Sequence, residues 1–190
     1  MKAMQIVGFD GPASGLRYQE APTPEPGPSQ IAVDVDHAGV GYVEALFTEG
    51  LVPIDLPWTP GLEVSGRVRA LGDGVDGYRV GDAVVALTIT GGGGYGQVAV
   101  APAELVAPLP AGLDPVLAAA VPANSTTALV ALEEIAHLRR GESVLVHAAA
   151  GGLGSQVGQV ARLLGAGRVV GVTRSEAKRQ EILDLGYDEA

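Results

Sequence analysis

A glycine-rich turn between an apolar run and an amphipathic segment restricts the possible folds of this chain more than any other feature. Residues 144–146 are apolar and mostly β-branched, which is typical of a strand buried on both faces of a parallel sheet. Residues 149–154 follow with the spacing G-x-G-x-x-G, except that Ala149 takes the first position. Apolar residues then recur at helical spacing from Val157 to Leu164. The stretch predicts a strand, a tight turn and a helix.

Small residues in such a turn allow a phosphate group to approach the backbone closely. The unpaired N–H groups at the start of the helix and the positive end of its dipole favour a negative charge there. In dinucleotide-binding folds the group bound in this way is a pyrophosphate. We therefore predict cofactor contacts from the turn, at Ala149, Gly151, Gly152, Leu153 and Gly154.

The residues that follow the next predicted strand indicate which dinucleotide binds. Thr173 lies 19 residues beyond Gly154, where the ribose-reading side chain of a dinucleotide fold belongs. No acidic residue is present there to accept from the free 2′-OH of NAD. Thr173, Arg174, Ser175 and Lys178 offer hydroxyls and two cations, which suit a 2′-phosphate. They predict NADPH as cofactor, the alternative being that both cations merely solvate the start of a helix.

Composition excludes several other classes of function. The 190 residues are 47% hydrophobic and carry a net charge of −10, so a nucleic-acid or anionic membrane partner is disfavoured. Cysteine is absent, which excludes disulfides, thiolate zinc sites and a cysteine nucleophile. The sequence shows neither a signal peptide nor a membrane-spanning run. We expect a cytoplasmic protein.

The chain before the glycine-rich turn has the pattern of a separate β-rich unit. Short apolar runs with Gly and Pro punctuation extend to about residue 110, and residues 30–36 alternate between apolar and polar or small side chains. This alternation predicts a strand with one face buried in the core and the other face exposed to solvent. We predict one domain over residues 1–122 and a dinucleotide-binding domain over 123–190.

Three other segments carry specific expectations. Residues 42–48 are expected to form one or two helical turns, and residues 124–138 a helix joining the two domains. The four glycines at 91–94 predict a flexible hairpin tip, with a loop that closes on a substrate as the alternative.

The order of several motifs resembles the medium-chain dehydrogenase/reductase superfamily, in its zinc-free quinone oxidoreductase and enoyl-reductase-like branch. The matching segments are GVGYVE at 39–44, PGLE at 60–63, GDAV at 81–84, NSTTA at 124–128 and AAAGGLG at 148–154. The resemblance covers essentially the whole chain. It implies a GroES-like β-barrel domain followed by an incomplete Rossmann domain of βαβα type. It also implies hydride transfer from NADPH to a quinone or an α,β-unsaturated carbonyl compound.

The resemblance disfavours a zinc enzyme. Zinc-dependent relatives have a Cys within the turn at 41–44 and a His where this chain has Leu62, which cannot bind zinc. His37, His137 and His147 are scattered over different predicted elements, and we expect none of them to hold a metal or act in catalysis. No metal site is predicted.

The matching motifs also suggest residues near the reacting end of the cofactor. Tyr42 could donate a hydrogen bond or a proton to the substrate, although an aromatic residue there also suits packing. Thr127 could contact the nicotinamide, or alternatively bond back to its own helix. Quinone oxidoreductases usually have Asn where this chain has Gly41, so one polar anchor is absent.

Family members generally continue well past position 190, and only two parallel strands of the dinucleotide sheet are expected here. We therefore expect a homo-oligomer or a complementing chain segment, since a strand edge would otherwise stay open. The alternative function is a non-catalytic NADPH-binding or scaffold relative, or an inactive fragment of the enzyme.

Overall fold

The computed structural model describes residues 1–190, except for the side chain of Pro12. The chain forms two compact units, Met1–Pro122 and Ala123–Ala190. Within the described residues, every helix is too short or too polar to cross a lipid bilayer.

The first unit is built from antiparallel strands, as a GroES-like fold requires. Strands β1 and β2 form a two-stranded sheet, and the other five form a curled sheet with the order β6-β3-β4-β5-β7. The strands are β1 Lys2–Ile6, β2 Leu16–Glu20, β3 Gln30–Ala38, β4 Glu63–Leu71, β5 Ala83–Leu87, β6 Val98–Pro102 and β7 Val106–Pro108. The helices are α1 Pro12–Gly15, α2 Tyr42–Thr48, α3 Pro115–Ala118 and a 3-10 turn at Ala103–Leu105.

The predicted alternation in β3 is only partly correct. Ile31 and Val33 are fully buried in the core of the sheet, as expected. Ala32, which the pattern assigned to the solvent-exposed face, is only 1% exposed. Both faces of β3 are therefore buried at residues 31–33. The short helix α3 lies against β3 and β4 near Ser65, whose hydroxyl donates to the Pro115 carbonyl at 2.7 Å.

The prediction of a flexible tip at residues 91–94 is wrong. Gly92 and Gly94 are buried, and the Gly93 N–H donates to the Thr59 carbonyl at 2.8 Å. A Cβ on Gly92 would lie 2.4 Å from the same carbonyl. These glycines let the turn pack back onto the segment before β4, which a residue with a side chain could not do.

The second unit is a parallel βαβα arrangement. Strands β8 and β9 pair in parallel, with Val144 opposite Val169, and the helix between them packs on both. Its elements are α4 Pro122–Leu129, a π-helical segment Val130–Ile135, β8 Ser143–His147, α5 Gly152–Leu163, β9 Arg168–Val172, a 3-10 turn Glu176–Lys178 and α6 Arg179–Asp184. The predicted fold class is confirmed: a GroES-like β unit precedes the first part of a Rossmann sheet.

The bounds of one helix differ from the sequence prediction. The helix expected at 124–138 begins at Pro122, where proline suits the first helical turn, and continues after Leu129 as a π-helix. The last helix ends at Asp184. Asp188 then donates its N–H to the Val169 carbonyl at 2.9 Å, so the final residues begin to pair in parallel with β9.

Candidate cofactor site

The turn after β8 places several backbone groups at the carboxyl end of the sheet. Ala148 adopts a left-handed conformation with φ 52°, which is rare for a residue with a side chain. Its carbonyl accepts from the Gly151 N–H at 2.8 Å, and the Ala149 N–H donates to the Val172 carbonyl at 3.1 Å. These two bonds fix the turn against the end of β9.

Helix α5 begins directly from this turn. Gly151 is its N-cap residue, and the Ser155 N–H donates to the Gly151 carbonyl at 2.9 Å. The N–H groups of Gly152, Leu153 and Gly154 precede this first helical bond and are available to an anion. A 12-residue helix also directs a full macrodipole at this point.

Gly154 allows the helix to start this close to the strand. A Cβ at this position would lie 2.4 Å from the Ala148 carbonyl oxygen and 2.7 Å from the Cα of Ala149. Both are backbone atoms that cannot move aside. Glycine is therefore required here by close packing of helix and turn, which is the general role of the third glycine in such motifs.

A cavity of about 560 Å³ opens beside this turn, at the carboxyl ends of β8 and β9. Ligands bind at this edge in open α/β sheets. The residues that line it come from the turn and from the segment after β9, and none of these described residues is acidic. They are His147, Ala148, Ala150, Gly151, Val172, Thr173, Arg174, Ser175 and Lys178.

The segment after β9 supplies the polar side of the cavity. The Thr173 hydroxyl accepts from the Ser175 N–H at 3.2 Å, which leaves the hydroxyl proton free to donate to a ligand. The Lys178 N–H donates to the Ser175 carbonyl at 3.1 Å, and this turn brings Lys178 back over the cavity. The segment is therefore folded so that hydroxyls and cations face one site.

Both cations of this site are electrostatically available. Within the described part of the chain, Arg174 and Lys178 form no ion pair. The nearby carboxylate of Glu176 instead lies 3.6 Å from Arg179, which does not line the cavity. The cavity therefore has an excess of positive charge, which suits a ligand phosphate.

Eight of the ten residues predicted to hold the cofactor line this cavity or form the first turn of α5 beside it. Gly151, Thr173, Arg174, Ser175 and Lys178 line the cavity itself. Gly152, Leu153 and Gly154 form the first turn of α5, whereas the side chain of Ala149 is fully buried beneath it.

Four lining residues were not among the predicted ones: His147, Ala148, Ala150 and Val172. Their only sequence signal is that they end a predicted strand or follow it directly. Side chains at the carboxyl ends of parallel strands commonly face the ligand. This rule alone does not show which of the residues at a strand end line a cavity.

The two residues predicted near the reacting end of the cofactor do not line this cavity. The Thr127 hydroxyl donates to the Ala123 carbonyl at 2.7 Å, within its own helix. Its oxygen can still accept a hydrogen bond. Tyr42, in the first unit, is the first residue of α2 and is 80% exposed.

The three histidines lie apart, on β3, beyond the π-helical segment and at the end of β8. No three His, Asp or Glu side chains in the described residues are arranged to hold a metal ion. Leu62, at the position of the zinc-ligating His in zinc-dependent relatives, is 8% exposed.

Comparisons with known proteins agree with this architecture. Residues 27–111 match the family described as "Alcohol dehydrogenase GroES-like domain". The chain is 36% identical over 191 residues to quinone oxidoreductase of Rattus norvegicus, covering all of this chain and 57% of the relative. It is 37% identical over 186 residues to "Synaptic vesicle membrane protein VAT-1 homolog-like" of Mus musculus, covering 97% of this chain and 44% of that protein.

A solved mycobacterial structure in complex with NADPH has the same fold. It superposes with a TM-score of 0.88 at 34% identity, covering 99% of this chain and 57% of that one. The chain thus spans between 44% and 57% of the length of these relatives.

Proposed function

Because this chain belongs to the quinone-oxidoreductase-like branch of the medium-chain dehydrogenase/reductase superfamily, we propose that it is part of a zinc-independent, NADPH-dependent oxidoreductase. The proposed acceptor is a quinone or an α,β-unsaturated carbonyl compound. The observation that carries the proposal is the cavity beside the glycine-rich turn, with Arg174 and Lys178 on one side. The mycobacterial relative solved with NADPH supports it.

Each part of the cavity has a separate role in this proposal. The N–H groups at the start of α5 hold the pyrophosphate, and Thr173, Arg174, Ser175 and Lys178 bind the 2′-phosphate. A guanidinium and an ammonium group on a phosphate would give charge-assisted hydrogen bonds, which are stronger than neutral ones. This arrangement would select NADPH over NADH through the 2′-phosphate alone.

When bound, NADPH supplies the hydride for the reduction. The chain's own residues bind the cofactor and stabilise charge on the substrate. We propose that Thr127 positions the nicotinamide through its oxygen, because its proton is already donated to Ala123. Tyr42, whose hydroxyl-bearing side chain is exposed, is the proposed donor to the oxyanion or enolate that forms.

A non-catalytic NADPH-binding or scaffold protein is the second candidate function. Two observations favour it: Gly41 stands where quinone oxidoreductases usually have Asn, and the Thr127 proton is donated within its own helix. Both candidates predict cofactor binding, and only the first predicts turnover. The cytoplasmic location, and an assembly with a second copy or a complementing segment, also belong to the proposal.

A fluorescence titration with NADPH and NADH tests the cofactor, and an assay with quinones and enones then tests turnover. We expect NADPH to bind at least about tenfold more tightly than NADH, the effect of one charge-assisted contact. Equal affinities would contradict the role of the cations. Selective NADPH binding without reduction of any quinone or enone would favour the scaffold function.

A further inference from the structure

A second, smaller cavity lies beneath α2 in the first unit. It has a volume of about 170 Å³. Its wall is mainly apolar, formed by residues such as Leu16, Val40, Ala45 and Pro60. Tyr95 completes it from the segment that follows the four glycines. An apolar cavity of this kind favours an uncharged, largely hydrocarbon ligand.

The hydroxyl group of Tyr95 is the unusual polar feature of this cavity. It is buried and has no hydrogen-bond partner among the residues that the structure describes. Buried polar atoms are nearly always paired, so an unpaired hydroxyl in a cavity wall indicates a ligand or an ordered water. The proton of the Tyr95 hydroxyl is therefore available for donation to an acceptor atom of a ligand.

The backbone holds Tyr95 in a fixed place. Its N–H donates to the Pro60 carbonyl at 2.9 Å, and its carbonyl accepts from the Met4 N–H at 2.9 Å. Its ring lies against Gly61, where a Cβ would be only 2.7 Å from a ring carbon. Tyr95 is thus tied to two other segments of the first unit, and its hydroxyl cannot swing out to solvent without breaking this packing.

The other polar side chains of the cavity are already engaged. A carboxylate oxygen of Glu44 accepts from the Gly41 N–H at 3.1 Å, and the Thr48 hydroxyl donates to the Ala45 carbonyl at 2.7 Å. Burial, and then the charges of Glu44 and Glu63, raise the pKa of Tyr95, so its phenol keeps its proton at neutral pH. Tyr95 is therefore the donor that a ligand would meet.

We propose that this cavity binds one six-membered ring that carries a carbonyl oxygen, and that the Tyr95 hydroxyl donates a hydrogen bond to this oxygen. A protein cavity of about 150 Å³ binds benzene, so the present volume accommodates a single ring with one oxygen attached. The proposal deepens the proposed function and rests on it, because cyclic ketones share this ring and carbonyl with quinones and cyclic enones.

A pair of ligands of nearly equal shape tests the hydrogen bond in the 190-residue chain without cofactor. Cyclohexanone carries the acceptor oxygen, and methylenecyclohexane replaces this oxygen by a CH₂ group. Binding of each is followed by NMR chemical-shift titration of the tyrosine rings and backbone amides. We expect cyclohexanone to bind about fivefold more tightly, as one neutral hydrogen bond predicts, with the largest shifts at Tyr95 and Ala45.

Three variants locate the site. Tyr95→Phe removes only the hydroxyl and should abolish the preference for cyclohexanone while preserving hydrocarbon binding. Ala45→Leu fills the cavity and should prevent binding of both ligands. Tyr78→Phe is the matched control, because the Tyr78 hydroxyl donates to the Val106 carbonyl, away from the cavity, and both affinities should stay unchanged.

Equal binding of the two ligands by the unaltered chain would overturn the proposal, even if Tyr95→Phe fails to fold. Cyclohexanone binding that survives Ala45→Leu would overturn it as well. An NADPH titration of the same sample separates the two proposals, because the cofactor cavity and this cavity have no lining residue in common. If the chain binds NADPH but shows no preference for cyclohexanone, the proposal for this cavity is contradicted and the proposed cofactor site is not.

Discussion

The phenol ring of Tyr187 lies directly against Gly158, so closely that a Cβ on the glycine would be 2.2 Å from a ring carbon. The Tyr187 hydroxyl donates to the Gly154 carbonyl at 2.5 Å, one turn earlier in the same helix. Tyr187 is only 4% exposed, and burial raises its pKa. The last residues of the chain therefore hold α5, whose first turn forms the pyrophosphate end of the candidate cofactor site.

Gly158→Ala tests this packing. Alanine normally stabilises a helix interior relative to glycine by about 1 kcal/mol. Here we expect the opposite sign, a loss of about 1–3 kcal/mol, because the buried ring has to move. Chemical denaturation measures the free energy of unfolding. When Tyr187→Leu is already present, Gly158→Ala should cost much less, since the two residues are in contact. Strictly additive losses of stability in the double variant would show that the ring is not the cause.

The cations of the cofactor site are tested by Arg174→Gln and Lys178→Gln. Each substitution should weaken NADPH binding about 10- to 100-fold, because each removes one charge-assisted hydrogen bond to the 2′-phosphate. NADH binding should hardly change. Arg179→Gln is the control, since Arg179 is paired with Glu176 and does not line the cavity. A parallel loss of NADH affinity would instead indicate damage to the fold.

Asp188 should contribute to stability in a pH-dependent manner. The Val169 N–H donates to its carboxylate at 2.7 Å, and Arg162 lies 2.5 Å away, which together lower the pKa of Asp188 below its ordinary 3.8. A lowered pKa means that this contribution is complete above pH 3.8 and is lost as the pH falls through the folded-state value.

Asp188→Asn should therefore reduce stability near neutral pH and make acid unfolding less steep. Denaturant titrations at a series of pH values measure both effects. Asp184→Asn serves as the control, because the carboxylate of Asp184 accepts only from the Gln180 side chain, four residues earlier. Identical acid profiles for the unaltered chain and Asp188→Asn would refute the assignment.

The glycines before Tyr95 are expected to differ sharply in their tolerance of a side chain. Gly92→Ala would place a Cβ 2.4 Å from the Thr59 carbonyl at a positive φ of 69°, so we expect a loss of about 2–4 kcal/mol. Gly91→Ala has open space around its Cβ and should change stability by less than about 0.5 kcal/mol. Thermal unfolding of the two variants compares them, and equal melting temperatures would show that the turn is not packed as described.

The sequence by itself determined the second unit well, because its signals are local. A β-branched run, small residues at fixed spacing and a helical apolar period specify strand, turn and helix within residues 143–164. The same local order placed Thr173 and Arg174 directly after β9. Asp114 caps α3 through the Val116 N–H at 2.9 Å, and an Asp followed by Pro is itself a local sequence signal for a helix start.

Only the tertiary structure decided the features that depend on distant partners. The packing of Gly92 comes from Thr59, and the Ser65 hydroxyl of β4 finds its acceptor in α3, at the Pro115 carbonyl. The unpaired hydroxyl of Tyr95 could not be foreseen, because its surroundings come from segments far apart in the chain. The spacing of apolar residues reveals the period of a single helix or strand, whereas cavities and close contacts arise where several helices, strands and turns meet.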